Sequence, residues 1–320
     1  MNLPIGVAVA FGTLRLVEDR PGLGLGAGAD VPGAVLLTAG LMLGVYAILQ
    51  IENWGWGDSR TLILSAISAL LLALFIFRQA RIANPLMPLR LFRSRDATGA
   101  NIIMALVIVG MFGVFFLGAL YLQQILGYDA LEVGLAFLPS TIVMAGLSLG
   151  VAGRLAIRFG PQRLLAPSLL CIAAGLALFA RAPVGGSFVE HILPVTILLG
   201  IGTGLSTPAI MMLAMSGATP EDAGLASGLV NTTVQVGGAL GLAVLATLSA
   251  TETGSRRVAG ESVASALNGG YHLAYAVAAG LVLVAIAIAV VVVKPERQAK
   301  REARAQVERC RPEPAYSKAA

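Results

Sequence analysis

Residues 262–293 read SVASALNGGYHLAYAVAAGLVLVAIAIAVVVV and contain no Asp, Glu, Lys or Arg. A helix needs about 20 predominantly apolar residues to cross a hydrocarbon core of about 30 Å. A charged side chain at the centre of such a helix costs about 2.5–3.5 kcal/mol on insertion scales, so spanning helices exclude charges. This stretch therefore predicts a transmembrane α-helix.

Seven further charge-free runs of similar length precede this one. Charged residues make up 12% of the chain, and the mean hydropathy of +0.84 is far above that of a water-soluble domain. A β-barrel is excluded because barrel strands alternate apolar and polar residues. The sequence predicts an all-α, polytopic transmembrane helix bundle with about eight full spans. The seven runs cover residues 31–51, 61–77, 97–128, 133–153, 164–180, 191–220 and 223–251.

The N-terminal segment 1–17 is apolar up to Arg15 but too short for a full span. A signal peptide fits poorly, since no basic residue precedes the apolar stretch and no Ala-x-Ala-like site follows it. We therefore expect segment 1–17 to be the remnant of a truncated helix. On this interpretation, the gene continues upstream of Met1 with roughly five and a half further spans.

The basic residues indicate how the helices are oriented. Placing the C-terminal tail 294–320 in the cytoplasm leaves only four of the 22 Lys and Arg residues outside. Because basic residues are enriched in cytoplasmic segments, we expect a multi-pass protein of the plasma or inner cell membrane with its tail inside. The four outer residues are Arg60, Arg181, Arg256 and Arg257.

Small and polar residues form one stripe along the run 223–251. Gly224, Gly228, Asn231, Gln235 and Gly238 follow one another at spacings of 4, 3, 4 and 3 residues, which places them on one side of a helix. The glycines predict close helix packing. The two carboxamides require partners in a membrane, so they either bond a neighbouring helix or line a wet cavity. The residues alone leave both alternatives open.

Two prolines predict interrupted helices. Pro208 has no N–H and leaves the carbonyl of Gly204 without its helical donor, and Pro139 does the same in the run 133–153. Interrupted helices near the bilayer midplane are typical of substrate sites in transporters. Gly200 and Gly204, four residues apart, also predict a face for close helix packing.

Several stretches occur in a specific order along residues 2–293. They are NLPIG (2–6), WGW (54–56), NPLMPLRLF (84–92), GIGTG (200–204) followed by Pro208, and AGLASGLVN (223–231) followed by Gln235 and Gly237. In this order and spacing the chain resembles the C-terminal part of a major facilitator superfamily transporter, in the fourteen-helix drug:proton antiporter branch.

Residues 153–163, GRLAIRFGPQR, resemble the cytoplasmic signature loop of that superfamily. The matching positions are Gly153, Arg158, Gly160 and Arg163. In other members an acidic residue, which takes part in a charge-paired latch, usually stands where Ile157 stands here.

The resemblance implies a domain organisation. Residues 1–17 match the sixth helix, 18–96 two extra central helices with cytoplasmic linkers, 97–293 the six-helix C-terminal domain, and 294–320 a basic cytoplasmic tail. The first and fourth helices of the six would line a central cavity, and the second and fifth would flank it.

The resemblance also implies a function, which is export of small organic molecules in exchange for protons by alternating access. The partners would be the lipid bilayer, substrate, protons and the missing N-terminal half, where we expect the proton site. No cofactor, metal or nucleic acid is expected. The predicted cavity residues are Asn101, Gln123, Ser140, Met144, Thr203, Thr207, Met211, Asn231 and Gln235.

Part of the sequence also matches another function. Residues 146–150, GLSLG, match the nucleophile elbow of hydrolases. That motif needs a strand-to-helix turn, and both histidines, His191 and His272, fall near the opposite membrane face, so we predict that the chain is not an enzyme. Two alternatives remain, a non-transporting membrane scaffold and an inactive fragment. Transport by the restored full-length protein would exclude the scaffold.

Overall fold

The computed structural model describes most of the membrane region. The described residues are 30–82, 85–86, 94–216 and 223–291, together with Gly6, Phe11 and Gly12. Apart from those three residues, which are helical, the predicted remnant 1–17 lies outside the described residues. The tail 294–320 also lies outside them.

Eight helices in the described residues are long and apolar enough to cross a membrane, and no strand occurs among those residues. The predicted all-α polytopic fold is confirmed. We number the helices α1 (Val31–Leu49), α2 (Ser59–Gln79), α3 (Arg95–Gln124), α4 (Ala130–Phe159), α5 (Pro161–Phe179), α6 (Phe188–Met215), α7 (Ala223–Val258) and α8 (Val263–Val291).

Polar residues between the charge-free runs cap these helices. The carboxylates of Asp30 and Asp58 accept hydrogen bonds from the backbone N–H groups of Gly33 and Arg60, at 2.9 and 2.8 Å. Asp129 and Glu132 form a reciprocal capping box at the start of α4. Each cap satisfies N–H groups that the helix leaves without a partner.

The predicted helix breaks at Pro139 and Pro208 are wrong. The α-helical segments Ala130–Gly146 and Leu193–Met215 run through both prolines. The irregularity in α4 lies further on, where Leu147–Ala152 form a π-helical turn. In a membrane, side chains of neighbouring helices can satisfy the carbonyl that a proline frees, so the helix need not break.

The predicted signature loop is mostly helical. Gly153–Phe159 complete α4, with Arg158 in their last turn, and Arg163 lies in the first turn of α5. The junction is Gly160 alone, whose φ of 84° favours glycine. The signature therefore forms a tight helix–turn–helix corner rather than an extended loop.

The helices of the 97–293 region pack around α3, α5, α6 and α8. Helix α5 contacts α6 and α8, α3 contacts α7 and α8, and α4 packs against α6. The Phe179 ring stacks on Tyr275 with centroids 4.5 Å apart and meets the edge of Tyr121 at 5.5 Å. Helices α1 and α2 form a hairpin that reaches α7 through α1.

Candidate functional site

Glycines of α6 bring two backbones into contact. A Cβ built on Gly200 would lie 2.6 Å from the Ser140 carbonyl oxygen of α4, and one on Gly204 would lie 2.9 Å from the Met144 carbonyl oxygen. Gly202 faces the other way, where a Cβ would lie 2.7 Å from the Ser168 carbonyl oxygen of α5. Helix α6 is thus held between α4 and α5 at separations that larger side chains would not allow.

The carbonyl that Pro208 frees has a partner from another helix. The Ser148 hydroxyl, in the π-helical turn of α4, donates to the Gly204 carbonyl oxygen at 3.0 Å. Sequence reasoning missed Ser148, because it was considered only as part of a hydrolase motif. No local sequence signal pairs it with Gly204, since the two lie 56 residues apart.

Three of the predicted cavity residues lie inside helix contacts. Asn101 is buried, donates to the Ala97 carbonyl oxygen at 2.8 Å and accepts from the Thr233 hydroxyl at 3.3 Å. Thr203 is buried and donates to the Leu199 carbonyl oxygen at 2.6 Å. Ser140 is buried against Gly200. Asn101 therefore joins α3 to α7, with Thr233 as a partner that sequence reasoning missed.

The remaining predicted cavity residues are exposed. Those on α4, α6 and α7 are Met144, Thr207, Met211, Asn231 and Gln235, and Gln123 lies near the end of α3. Helix α6 contacts both of the other helices that carry the first five, α4 and α7. The Asn231 amide donates to the Ser227 carbonyl oxygen of its own helix at 3.0 Å. In the described residues this bond does not join α7 to another helix.

The packing role predicted for Gly224 and Gly228 is not present in the described part of the chain. Both residues are exposed, and a Cβ at either position would meet no described atom within 4 Å. Further along the stripe the situation reverses, since Gly237 and Gly238 face Ile108 and Phe112 of α3. The α7 stripe therefore packs against α3 at its C-terminal end and is exposed at its N-terminal end.

Gln235 lines a cleft between α7 and the α1–α2 hairpin. The cleft has a volume of about 450 Å³ and an apolar wall. Its lining includes Leu41, Met42, Tyr46, Gln235, Val236 and Leu240. Gln235 thus places its carboxamide among mostly apolar side chains, where an amide without a partner is costly.

Polar contacts tie together the predicted outer ends of α3, α5 and α8. Tyr121 donates to the Pro183 carbonyl oxygen at 2.8 Å, and Tyr271 donates to Gln124 at 3.0 Å. Asn268 donates to the Ala182 carbonyl oxygen at 3.0 Å, and His272 Nε2 lies 2.8 Å from the same oxygen. None of these residues was among the predicted site residues.

A buried carboxylate lies at the start of α1. Asp30 is 0% exposed in its side chain and accepts from Arg78 Nε and Gln79 Nε2 of α2, each at 2.7 Å. Burial disfavours its charged form, but the hydrogen bonds from Arg78, Gly33 and Gln79 outweigh burial and hold the pKa of Asp30 below its ordinary value.

Comparison with known proteins identifies the family. A family model described as the Major Facilitator Superfamily matches residues 24–242. The chain belongs to this superfamily. Its members are transporters rather than enzymes, so the chain is a multi-pass membrane protein of a transporter family and the intramembrane hydrolase alternative is excluded.

Relatives of this major facilitator chain carry export and resistance names. A puromycin resistance protein of Streptomyces alboniger is 35% identical over 88% of this chain and 57% of its own length. A cephamycin export protein of Amycolatopsis lactamdurans is 36% identical over 79% of this chain and 52% of its own. A tetracenomycin C resistance and export protein of Streptomyces glaucescens is 34% identical over 79% and 47%. The chain spans about half the length of these relatives.

Proposed function

We propose that this chain is the C-terminal portion of a multidrug or small-organic-molecule exporter of the fourteen-helix branch. In this proposal it exchanges substrate for protons by alternating access, and its tail 294–320 lies in the cytoplasm. The export and resistance names of relatives at 34–36% identity support efflux as the direction of transport.

The observation that carries the proposal is that polar side chains are exposed on two neighbouring helices, α6 and α7. Thr207 of α6 and Asn231 of α7 are exposed polar side chains, and the exposed Gln235 of α7 lines the cleft beside α1. An amide facing hydrocarbon must find a hydrogen-bond partner or water. Close contact of these polar groups with lipid is therefore unfavourable. A water-filled cavity closed by further helices would supply their hydrogen-bond partners.

We propose that an N-terminal half, of the size that the relatives' additional length allows, covers these side chains. Substrate then binds between the two halves near the midplane, as in other transporters of this architecture. The exposed methionines, Met144 and Met211, suit varied apolar substrates because their side chains repack easily.

Proton coupling is assigned to that other half. A coupling group must titrate within the membrane, and such groups are usually carboxylates that are paired or wet. The carboxylates of the described spans lie toward helix ends: Asp96, Glu132, Glu190 and Glu252. Glu252 is moreover paired with Arg256 at 2.7 Å. The described central segments therefore offer no carboxylate for the proton.

Drug export in inverted membrane vesicles tests the proposal. The chain joined to its N-terminal helices is expected to accumulate puromycin, a cephamycin or a tetracenomycin-like compound in energised vesicles. A protonophore should abolish accumulation, and vesicles with the 320-residue chain alone should show none. Absence of transport by the joined protein against all three classes would contradict the exporter assignment and favour a scaffold.

A further inference from the structure

A cleft opens at the end of the α1–α2 hairpin that lies opposite Trp54. Its volume is about 430 Å³, and it is lined by Leu36, Leu74, Phe77, Arg78, Arg81 and Ile82. The cleft thus places two guanidinium groups beside an apolar wall at one end of a spanning hairpin. It is separate from the exposed face proposed to bind substrate, which belongs to α4, α6 and α7.

The Arg78 guanidinium is partly exposed at this cleft and is bonded to a buried acid. The carboxylate of Asp30 is fully buried and accepts from Arg78 Nε, Gln79 and the Gly33 N–H. The side chain of Arg78 is 37% exposed, and its described ion pair uses only Nε. The buried acid therefore holds the Arg78 guanidinium in place at the cleft.

Arg81 adds a second cation at the apolar wall. Its guanidinium carbon lies 4.0 Å from the centroid of the Phe77 ring, within cation–π distance. Phe77 is itself 54% exposed, and Leu74 on the same helix is 45% exposed. The two arginines and these apolar side chains form one continuous surface, charged at the helix end and apolar toward the bilayer.

We propose that this cleft binds an anionic phospholipid, with the phosphodiester at Arg78 and Arg81 and an acyl chain along Leu36, Leu74 and Phe77. A guanidinium binds phosphate oxygens through paired N–H groups, and the apolar wall matches a lipid tail rather than a soluble anion. Anionic lipids are abundant in the cytoplasmic leaflet, which is the leaflet at this end if the proposed orientation holds. Binding itself does not depend on that orientation or on transport.

Native mass spectrometry of the intact 320-residue chain, reconstituted with equal amounts of phosphatidylglycerol and phosphatidylcholine, measures this site directly. We expect the phosphatidylglycerol adduct to be enriched, and Arg81→Gln to reduce the enrichment about fivefold. Arg60→Gln is the matched control, because Arg60 lies at the other end of α2 and stands 5.8 Å over the Trp54 ring. That control should retain the enrichment. Arg81→Lys should retain more of it than Arg81→Gln, since the charge remains although the paired N–H groups are lost.

The other outcomes overturn the proposal. Equal retention of both lipids by the unmodified chain would mean that the arginines only reach the aqueous interface. An equal loss in Arg81→Gln and Arg60→Gln would indicate unspecific attraction. If soluble glycerophosphoglycerol displaced the lipid at matched concentration, the cleft would bind only the anionic headgroup. The apolar wall would then have no role in binding.

Discussion

Replacing Ser148 by Ala should destabilise the contact between α4 and α6, because it removes the hydroxyl that donates to the Gly204 carbonyl at 3.0 Å. Inter-helix hydrogen bonds in membranes are worth about 0.6 kcal/mol on average and about 1.7 kcal/mol at most. Pro208 leaves this carbonyl without a helical donor, so nothing within α6 replaces the lost bond. We expect a loss of unfolding free energy of about 0.6–1.7 kcal/mol.

The same structure predicts that Pro208→Ala removes the effect. Alanine at 208 restores an N–H four residues after Gly204, which can complete the helical bond. In the Pro208→Ala background, Ser148→Ala should therefore cost close to nothing. The double-mutant cycle is measured by equilibrium unfolding in mixed detergent micelles. Ser65→Ala, an exposed serine on α2, is the control and should have little effect in either background.

An equal cost of Ser148→Ala with and without Pro208 would refute this account of how α6 tolerates its proline. The cost would then come from packing of the π-helical turn instead.

Three further predictions follow from described contacts and from charge. Gly200→Ala places a Cβ 2.6 Å from the Ser140 carbonyl oxygen and should lower the unfolding free energy by about 1–3 kcal/mol. Gly146→Ala is the control, because a Cβ there meets open space, and it should leave the unfolding free energy unchanged. Equal unfolding midpoints for the two variants would contradict the packing of α6 against α4. Because the folded-state pKa of Asp30 is depressed, the stability that its carboxylate contributes is complete above the ordinary pKa of 3.8 and is lost as pH falls through the folded pKa. Asp30→Asn should therefore flatten the acid limb of a curve of unfolding free energy against pH. An unchanged acid limb would count against the ion pair. Cys310 should react with an impermeant maleimide only after the membrane is opened; labelling in intact cells would reverse the proposed orientation.

The spans could be predicted from sequence because the bilayer excludes charge along the whole helix. The run 97–128 and helix α3, Arg95–Gln124, differ by a few residues only at their ends. Those ends depend on caps such as Ser94, which accepts from the Ala97 N–H at 3.3 Å. The hydropathy pattern alone does not show whether a polar residue at the end of a span belongs to the linker or caps the helix.

The site was harder to predict because its contacts join residues far apart in sequence. Asn101 is polar in an apolar run, and the sequence could not distinguish a cavity residue from one bonded to Thr233, 132 residues away. Pro208 predicted a break, but the donor that prevents it lies on another helix. Asp30 stands next to a span, and nothing in the sequence predicts its bonds to Arg78 and Gln79. The sequence showed which single residues are polar or helix-breaking, but it did not show which residues on other helices they contact.

The most direct test of the central claim is the resistance profile of Asn231→Leu in the exporter that contains this chain together with its N-terminal helices. If Asn231 faces the substrate cavity, the variant should be produced at normal levels and change resistance to some compounds more than to others. Ser65→Leu, which also makes an exposed polar residue apolar, should leave the profile as it was. An Asn231→Leu exporter with normal abundance and unaltered resistance to every compound tested would contradict the assignment of this face to substrate.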